Sequence, residues 1–107
     1  MMVLLPSGLT VGLSAQPVKM RQKPDPAKFE LAVSLIKKFE GLHERDNFPY
    51  YGFGHRLLPG ENLSYDMTEA EAEALLRRDL MKRYALFRSY GKDALLLMVL
   101  SYRSEEH

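Results

Sequence analysis

The sequence contains no cysteine, which excludes disulfide bonds, thiol chemistry and zinc sites built on cysteine ligands. Its formal net charge is only +1, so the overall charge indicates no preference for nucleic acid. It also lacks internal repeats, coiled-coil heptads, a glycine-rich phosphate loop and a recognisable Ser-His-Asp context. What remains is a chain of 107 residues with an ordinary hydrophobic fraction of 46%, which predicts one globular domain with a modest core.

The N-terminal segment separates into an apolar stretch and a linker. Residues 1–16 are uncharged and largely apolar, which is similar to a secretory signal peptide, with a disordered tail as the alternative. Pro6 and Gly8 interrupt this stretch, and it is too short to span a bilayer. Export to the periplasm or the exterior is therefore predicted, with a cytoplasmic location as the alternative. Three prolines and several basic residues in 17–26 predict an extended linker, so the folded domain is expected over 27–107.

A helix is predicted after the linker, because Asp25 suits an N-cap and Pro26 suits the first helical position. Gly41 is placed to end it. Its apolar stripe has spacings of four, three and four residues and consists of Phe29, Val33, Ile36 and Glu40, with Ala32 and Phe39 widening it. A carboxylate such as Glu40 on this stripe is costly unless it is neutral or partnered. A neutral carboxyl can donate a proton as the general acid of sugar hydrolysis.

Residues 42–66 hold most of the aromatic and turn residues and predict a small, irregular β-hairpin. In the run Gly52-Phe53-Gly54-His55, alternating glycines indicate a tight strand with a close approach to its backbone. Pro59-Gly60 marks a turn.

Two further helices are predicted. Thr68 and Glu71 form a capping box before a helix that runs to about Ser89. Its apolar face consists of Ala72, Leu75, Leu76, Leu80, Tyr84 and Phe87. Gly91 breaks this helix, and residues 94–100 then form one that is apolar on every side, which is typical of the centre of a core. Without neighbours on every side, this helix is expected to self-associate or aggregate.

Three segments in this order resemble the phage-type lysozymes, glycoside hydrolases that cut peptidoglycan: Glu40-Gly41, Gly52-Phe53-Gly54-His55, and the run from Met67 to Leu76. The resemblance covers roughly residues 27–102. It implies an α+β, mostly helical fold with a small β-hairpin, and hydrolysis of the β-1,4 bond between N-acetylmuramic acid and N-acetylglucosamine without a cofactor. The family has several more helices after the apolar one. We therefore expect an incomplete C-terminal helical lobe in a truncated chain.

The resemblance also assigns roles to individual residues. Glu40 is the expected general acid, and His55 is expected to hydrogen-bond it and orient it. Asp46 is the expected second carboxylate, with Glu44 as the alternative. Tyr50 occupies the position of a family threonine, where its hydroxyl can hydrogen-bond a water.

Tyr50, Tyr51 and Phe53 are expected to line a sugar cleft or, alternatively, to form the core of the hairpin. The expected partners are peptidoglycan glycan strands, and a basic surface on the later helix suits the anionic polymers of cell walls. This surface consists of Arg77, Arg78, Lys82, Arg83 and Arg88. Nucleic acid is not an expected partner, because acidic residues interrupt these charges.

No metal site is predicted, because the spacing of His43, Asp46, His55 and Glu61 matches no metal-binding pattern. The alternatives to a hydrolase are an inactive fragment that binds cell-wall glycans and a small helical interaction protein. The interaction protein would dock or dimerise through the 94–100 helix.

Overall fold

The computed structural model describes residues 23–106 and contains three α-helices and one two-stranded antiparallel sheet in that range. In chain order these are α1 (Pro26–Glu40), β1 (Tyr50–Tyr51), β2 (His55–Arg56), α2 (Glu69–Phe87) and α3 (Ala94–Glu106). Short 3-10 segments occupy Arg45–Asn47 and Arg88–Asp93. The predicted α+β, mostly helical class is confirmed at this level. The predicted leader at 1–16 and most of the linker at 17–26 lie outside the described residues.

The residues that were predicted to begin and end α1 do so in the structure. Asp25 Oδ1 accepts a hydrogen bond from the amide of Lys28 at 3.1 Å, and Pro26 is the first helical residue. Gly41 follows the last turn with a φ of 68°, a conformation that glycine adopts without steric cost. The helix therefore ends immediately after Glu40.

The capping box of α2 is also confirmed. The hydroxyl of Thr68 accepts a hydrogen bond from the amide of Glu71 at 3.1 Å, and the Glu71 carboxylate accepts one from the amide of Thr68 at 2.8 Å. The α-helix ends at Phe87, and the 3-10 segment after it kinks at Gly91, where φ is 63°. This kink turns the chain back so that α3 packs along α2.

The hairpin between α1 and α2 is shorter than the sequence predicted. Tyr51 pairs with His55, and residues 52–54 form the turn, so the alternating glycines do not lie in a strand. The close approach predicted there is present: a Cβ atom at Gly52 would lie 3.3 Å from Cβ of Ala72 in α2. The hairpin is therefore seated on the first turns of α2.

One hydrophobic core joins the hairpin to all three helices. It contains Phe29, Ala32, Val33, Ile36, Phe53, Ala72, Leu76, Leu80, Tyr84, Ala94, Met98 and Tyr102. The prediction that Phe39 widens the buried stripe of α1 is wrong, because its side chain is 64% exposed.

The exposed apolar area expected on the helix at 94–100 is present on α3. Only the face with Ala94, Met98 and Tyr102 is buried, while Leu96 and Leu100 are more than half exposed. The reason is that α1 and α2 pack on one side of α3, and no element within residues 23–106 covers the other side. Over the same residues, no helix has both the length and the apolar composition that crossing a membrane requires.

Candidate functional site

The carboxylate of Glu40 is buried at the end of α1, with only 5% of its side chain exposed. Arg103 of α3 places Nε 3.0 Å from Oε2, and His43 places Nε2 3.5 Å from Oε1. The Arg103 contact has the distance of an ion pair, but its angles do not make a hydrogen bond. The carboxylate predicted to need a partner therefore has a positive charge against it, supplied from the last helix.

The hairpin is held beside this carboxylate by the loop after α1. The amide of His43 donates to the carbonyl of Gly52 at 2.7 Å, and the His43 ring lies 6.2 Å from the ring of Tyr50. Tyr50 is half-buried, and its hydroxyl accepts a hydrogen bond from Arg56 at 3.1 Å. Tyr50, one of the three predicted sugar-binding residues, therefore keeps accessible surface, and its ring lies against the histidine next to Glu40.

His55 does not make the hydrogen bond to Glu40 that the sequence analysis expected. Its Nδ1 lies 2.6 Å from Asp79 Oδ2 and its Nε2 lies 2.7 Å from Glu61 Oε1, so both ring nitrogens are occupied. Burial lowers the pKa of His55, but the two carboxylates outweigh burial and raise it above its usual value. His55 therefore ties the hairpin to α2 and contacts Glu40 through neither nitrogen.

The expected second carboxylate is not paired with the first. Asp46 lies in the exposed 3-10 segment Arg45–Asn47, and Glu44 precedes it on the surface. Among the contacts of the described residues, neither carboxylate meets Glu40. The role of either residue as the second catalytic carboxylate stays a prediction.

Two of the three aromatic residues expected in a sugar cleft are core residues. Tyr51 is buried and stacks on Tyr65 with ring centroids 4.0 Å apart. Phe53 is buried in the main core, and its carbonyl accepts a hydrogen bond from the Tyr102 hydroxyl at 2.8 Å. Both rings are therefore buried, as the alternative of core residues expects, and a role for them in a sugar cleft stays a prediction.

Two residues that contact the expected site, Asp79 and Arg103, were not predicted from the sequence. Asp79 lies in the apolar stripe of α2, three residues after Leu76, and this position was a usable signal that it needs a buried partner. Arg103 had no such signal, because its role depends on how α3 packs. Its guanidinium also lies 5.4 Å from the centroid of the Phe39 ring, so the exposed ring forms a platform for the arginine.

The basic surface expected along α2 is smaller than the sequence suggested. Arg77 donates to both carboxylate oxygens of Glu30 at 2.6 Å and also bonds Glu73. Arg78 lies 3.7 Å from Glu61. Acidic partners therefore compensate the first two arginines of the expected surface, and its cationic character is concentrated toward the C-terminal half of α2.

Metal binding has no support in the described part of the chain. No group of three or more histidine, aspartate or glutamate side chains there is arranged to hold a metal ion. This includes the four residues considered in the sequence analysis.

A comparison of the chain with protein-family models, curated proteins and solved structures gave no match.

Proposed function

We propose that this chain is a lysozyme-like peptidoglycan hydrolase that cleaves the β-1,4 bond between N-acetylmuramic acid and N-acetylglucosamine. The observation that carries the proposal is the buried Glu40 carboxylate at the end of α1, beside the hairpin and contacted by α3. The order of the elements supports it, since a helix ending in Glu-Gly, a short hairpin and a capped helix follow one another. This substrate lies outside the cytoplasmic membrane, and we propose that residues 1–16 direct export there.

Glu40 acts in this proposal as the general acid that protonates the glycosidic oxygen while the bond breaks. His43, 3.5 Å from the second carboxylate oxygen, is the neighbouring group able to exchange a proton with it. Arg103 holds the carboxylate in place from the opposite oxygen. Glu40 is thus held between an imidazole and a guanidinium, and the proton that it donates reaches the carboxylate from His43 or from solvent.

The remaining groups have supporting roles. Asp46 is the proposed second carboxylate, with Glu44 as the alternative, and either would position a water or stabilise charge on the sugar. Tyr50 offers a ring face to the substrate. His55 is a positioning residue, because its bonds to Asp79 and Glu61 fix the hairpin that carries Tyr50.

The test is the loss of turbidity of a peptidoglycan suspension with the purified chain, with Glu40→Gln and with Glu69→Gln. Glu69 is an exposed carboxylate at the start of α2, so its replacement removes the same charge on the surface. We expect lysis by the parent and by Glu69→Gln, and none by Glu40→Gln. A folded parent without activity would overturn the proposal, and so would equal activity in all three proteins.

A second candidate function is a helical interaction module, which the exposed apolar face of α3 favours. Leu96 and Leu100 of α3 are more than half exposed. Leu100 also lines a groove of about 470 Å³ together with Leu35 and Phe39 of α1. We expect self-association through this face, measured by sedimentation velocity and reversed by Leu100→Lys. A tight oligomer that neither binds nor cleaves peptidoglycan would favour this second function.

A further inference from the structure

A groove of about 390 Å³ lies between the hairpin and the C-terminal half of α2, with α3 behind it. Three cationic side chains line it, together with an apolar wall. The cations are Arg56, Lys82 and Arg83, and the wall consists of Leu58, Leu86 and Tyr102. We call this feature the cationic groove.

Contacts with aromatic rings hold both arginines of the cationic groove in place. The Arg56 guanidinium lies 5.7 Å from the centroid of the Tyr50 ring and donates to its hydroxyl. The Arg83 guanidinium lies 5.2 Å from the centroid of the Tyr102 ring. A planar guanidinium already held in one orientation loses less conformational entropy when it binds an anion.

The acidic residues near the cationic groove are engaged elsewhere. Asp79 lines the groove, but its Oδ2 lies 2.6 Å from Nδ1 of His55. Glu61 contacts the other nitrogen of His55 and lies near Arg78. Among the described residues of the lining, Arg56 and Lys82 thus face one carboxylate, and that carboxylate already has a buried partner.

We propose that the cationic groove binds a small oxyanion, a carboxylate or a phosphate, carried on an apolar body. Arginine and lysine side chains recognise both oxyanions through charge-assisted hydrogen bonds, which are stronger than neutral ones. The apolar wall buries the rest of the ligand. This site goes beyond the proposed hydrolysis, since none of its residues contacts Glu40 among the described contacts and no cleavage is needed to detect it.

The test is a titration of the full chain followed by two-dimensional ¹H–¹⁵N NMR. The probes are benzoate, its neutral counterpart benzamide, and phenyl phosphate. We expect benzoate and phenyl phosphate to shift the amides of Arg56 and Leu86 in a saturable way, and benzamide to leave them unchanged. Tighter binding of phenyl phosphate assigns the groove to phosphate-bearing ligands, and tighter binding of benzoate assigns it to carboxylates. Equal responses to benzoate and benzamide, or none to either anion, would overturn the proposal.

Variants that each remove one positive charge distinguish binding in the cationic groove from general electrostatic attraction to the protein. Lys82→Gln and Arg56→Gln should each weaken binding of the tighter anion by about threefold to tenfold. Lys38→Gln removes the same charge from the exposed surface of α1 and should leave the affinity unchanged. Weakening by Lys38→Gln equal to that by Lys82→Gln would show diffuse attraction and contradict a defined site.

Discussion

Nδ1 of His55 lies 2.6 Å from Oδ2 of Asp79, which joins the hairpin to the middle of α2 across 24 residues of sequence. Glu61 contacts the other ring nitrogen at 2.7 Å, so one buried imidazole bridges two carboxylates. The stability of the fold should therefore fall when the imidazole loses its proton at high pH and when a carboxylate gains one at low pH.

The first prediction concerns the alkaline side of the stability profile. Because the folded-state pKa of His55 is raised above 6.5, its contribution is complete below 6.5 and is lost as pH rises through the raised pKa. We expect the free energy of unfolding in urea to fall as pH rises above 6.5 and through the raised pKa of His55. His55→Gln should remove this fall, and an unchanged pH profile in the variant would contradict the bridge.

The second prediction concerns the acidic side. Burial raises the pKa of Glu61, but hydrogen bonds from His55 and from the amide of Leu58 outweigh it and lower the pKa below 4.5. Its contribution is therefore complete above 4.5 and is lost as pH falls through the lowered pKa. Glu61→Gln should flatten the acidic limb of the stability profile more than Glu69→Gln, which serves as the exposed control.

The features that the sequence predicted well are those set by neighbouring residues. Asp25 caps α1 and Thr68 caps α2 through contacts three residues away, so the local pattern contains all the necessary information. The buried Glu40 followed from helical spacing in the same way.

The predictions that failed concern contacts between elements that are distant in the sequence. Asp79, one of the two partners of His55, lies on α2, and the arginine beside Glu40 lies on α3. Neither contact can be predicted from a local sequence pattern, because both depend on how the helices pack. Phe39 shows the same limit, since it extends the stripe by spacing yet lies outside the core beneath the Arg103 guanidinium.

The third prediction is an asymmetry between the two partners of the buried ion pair. Arg103→Gln leaves the Glu40 carboxylate buried without its cation, and should cost about 2–3 kcal/mol of unfolding free energy. Glu40→Gln leaves an arginine whose side chain is 36% exposed and can be hydrated, and should cost about 1 kcal/mol. Urea unfolding at neutral pH measures both, and a larger cost for Glu40→Gln would contradict this description of the pair.

The fourth prediction compares substitutions at two glycines. The comparison separates the energetic cost of close packing from the cost of the backbone conformation. Gly52 and Gly60 both have positive φ, at 58° and 85°, but only Gly52 has Ala72 within 3.3 Å of an added Cβ atom. Gly60→Ala should cost about 1 kcal/mol, and Gly52→Ala about 2–3 kcal/mol, because the hairpin must also move off α2. Equal thermal destabilisation of the two variants would show that the hairpin is not seated on α2.

The fifth prediction tests the one-sided burial of α3. Met98→Ala truncates a fully buried side chain and should cost about 2–5 kcal/mol. Leu100→Ala makes a similar truncation on the exposed face and should change stability by about 0.5 kcal/mol or less. A large cost for Leu100→Ala in a monomeric sample would show that a part of the chain beyond residues 23–106 covers that face.

The most direct test of the proposed hydrolysis is the chemistry of the product. Purified peptidoglycan is incubated with the parent chain or with Glu40→Gln, the products are reduced with borohydride, and the reduced sugar is identified by mass spectrometry. The proposal predicts reduced N-acetylmuramic acid ends with the parent and none with Glu40→Gln. Reduced N-acetylglucosamine ends, no new ends from a folded parent, or muramic acid ends that persist in Glu40→Gln would contradict it.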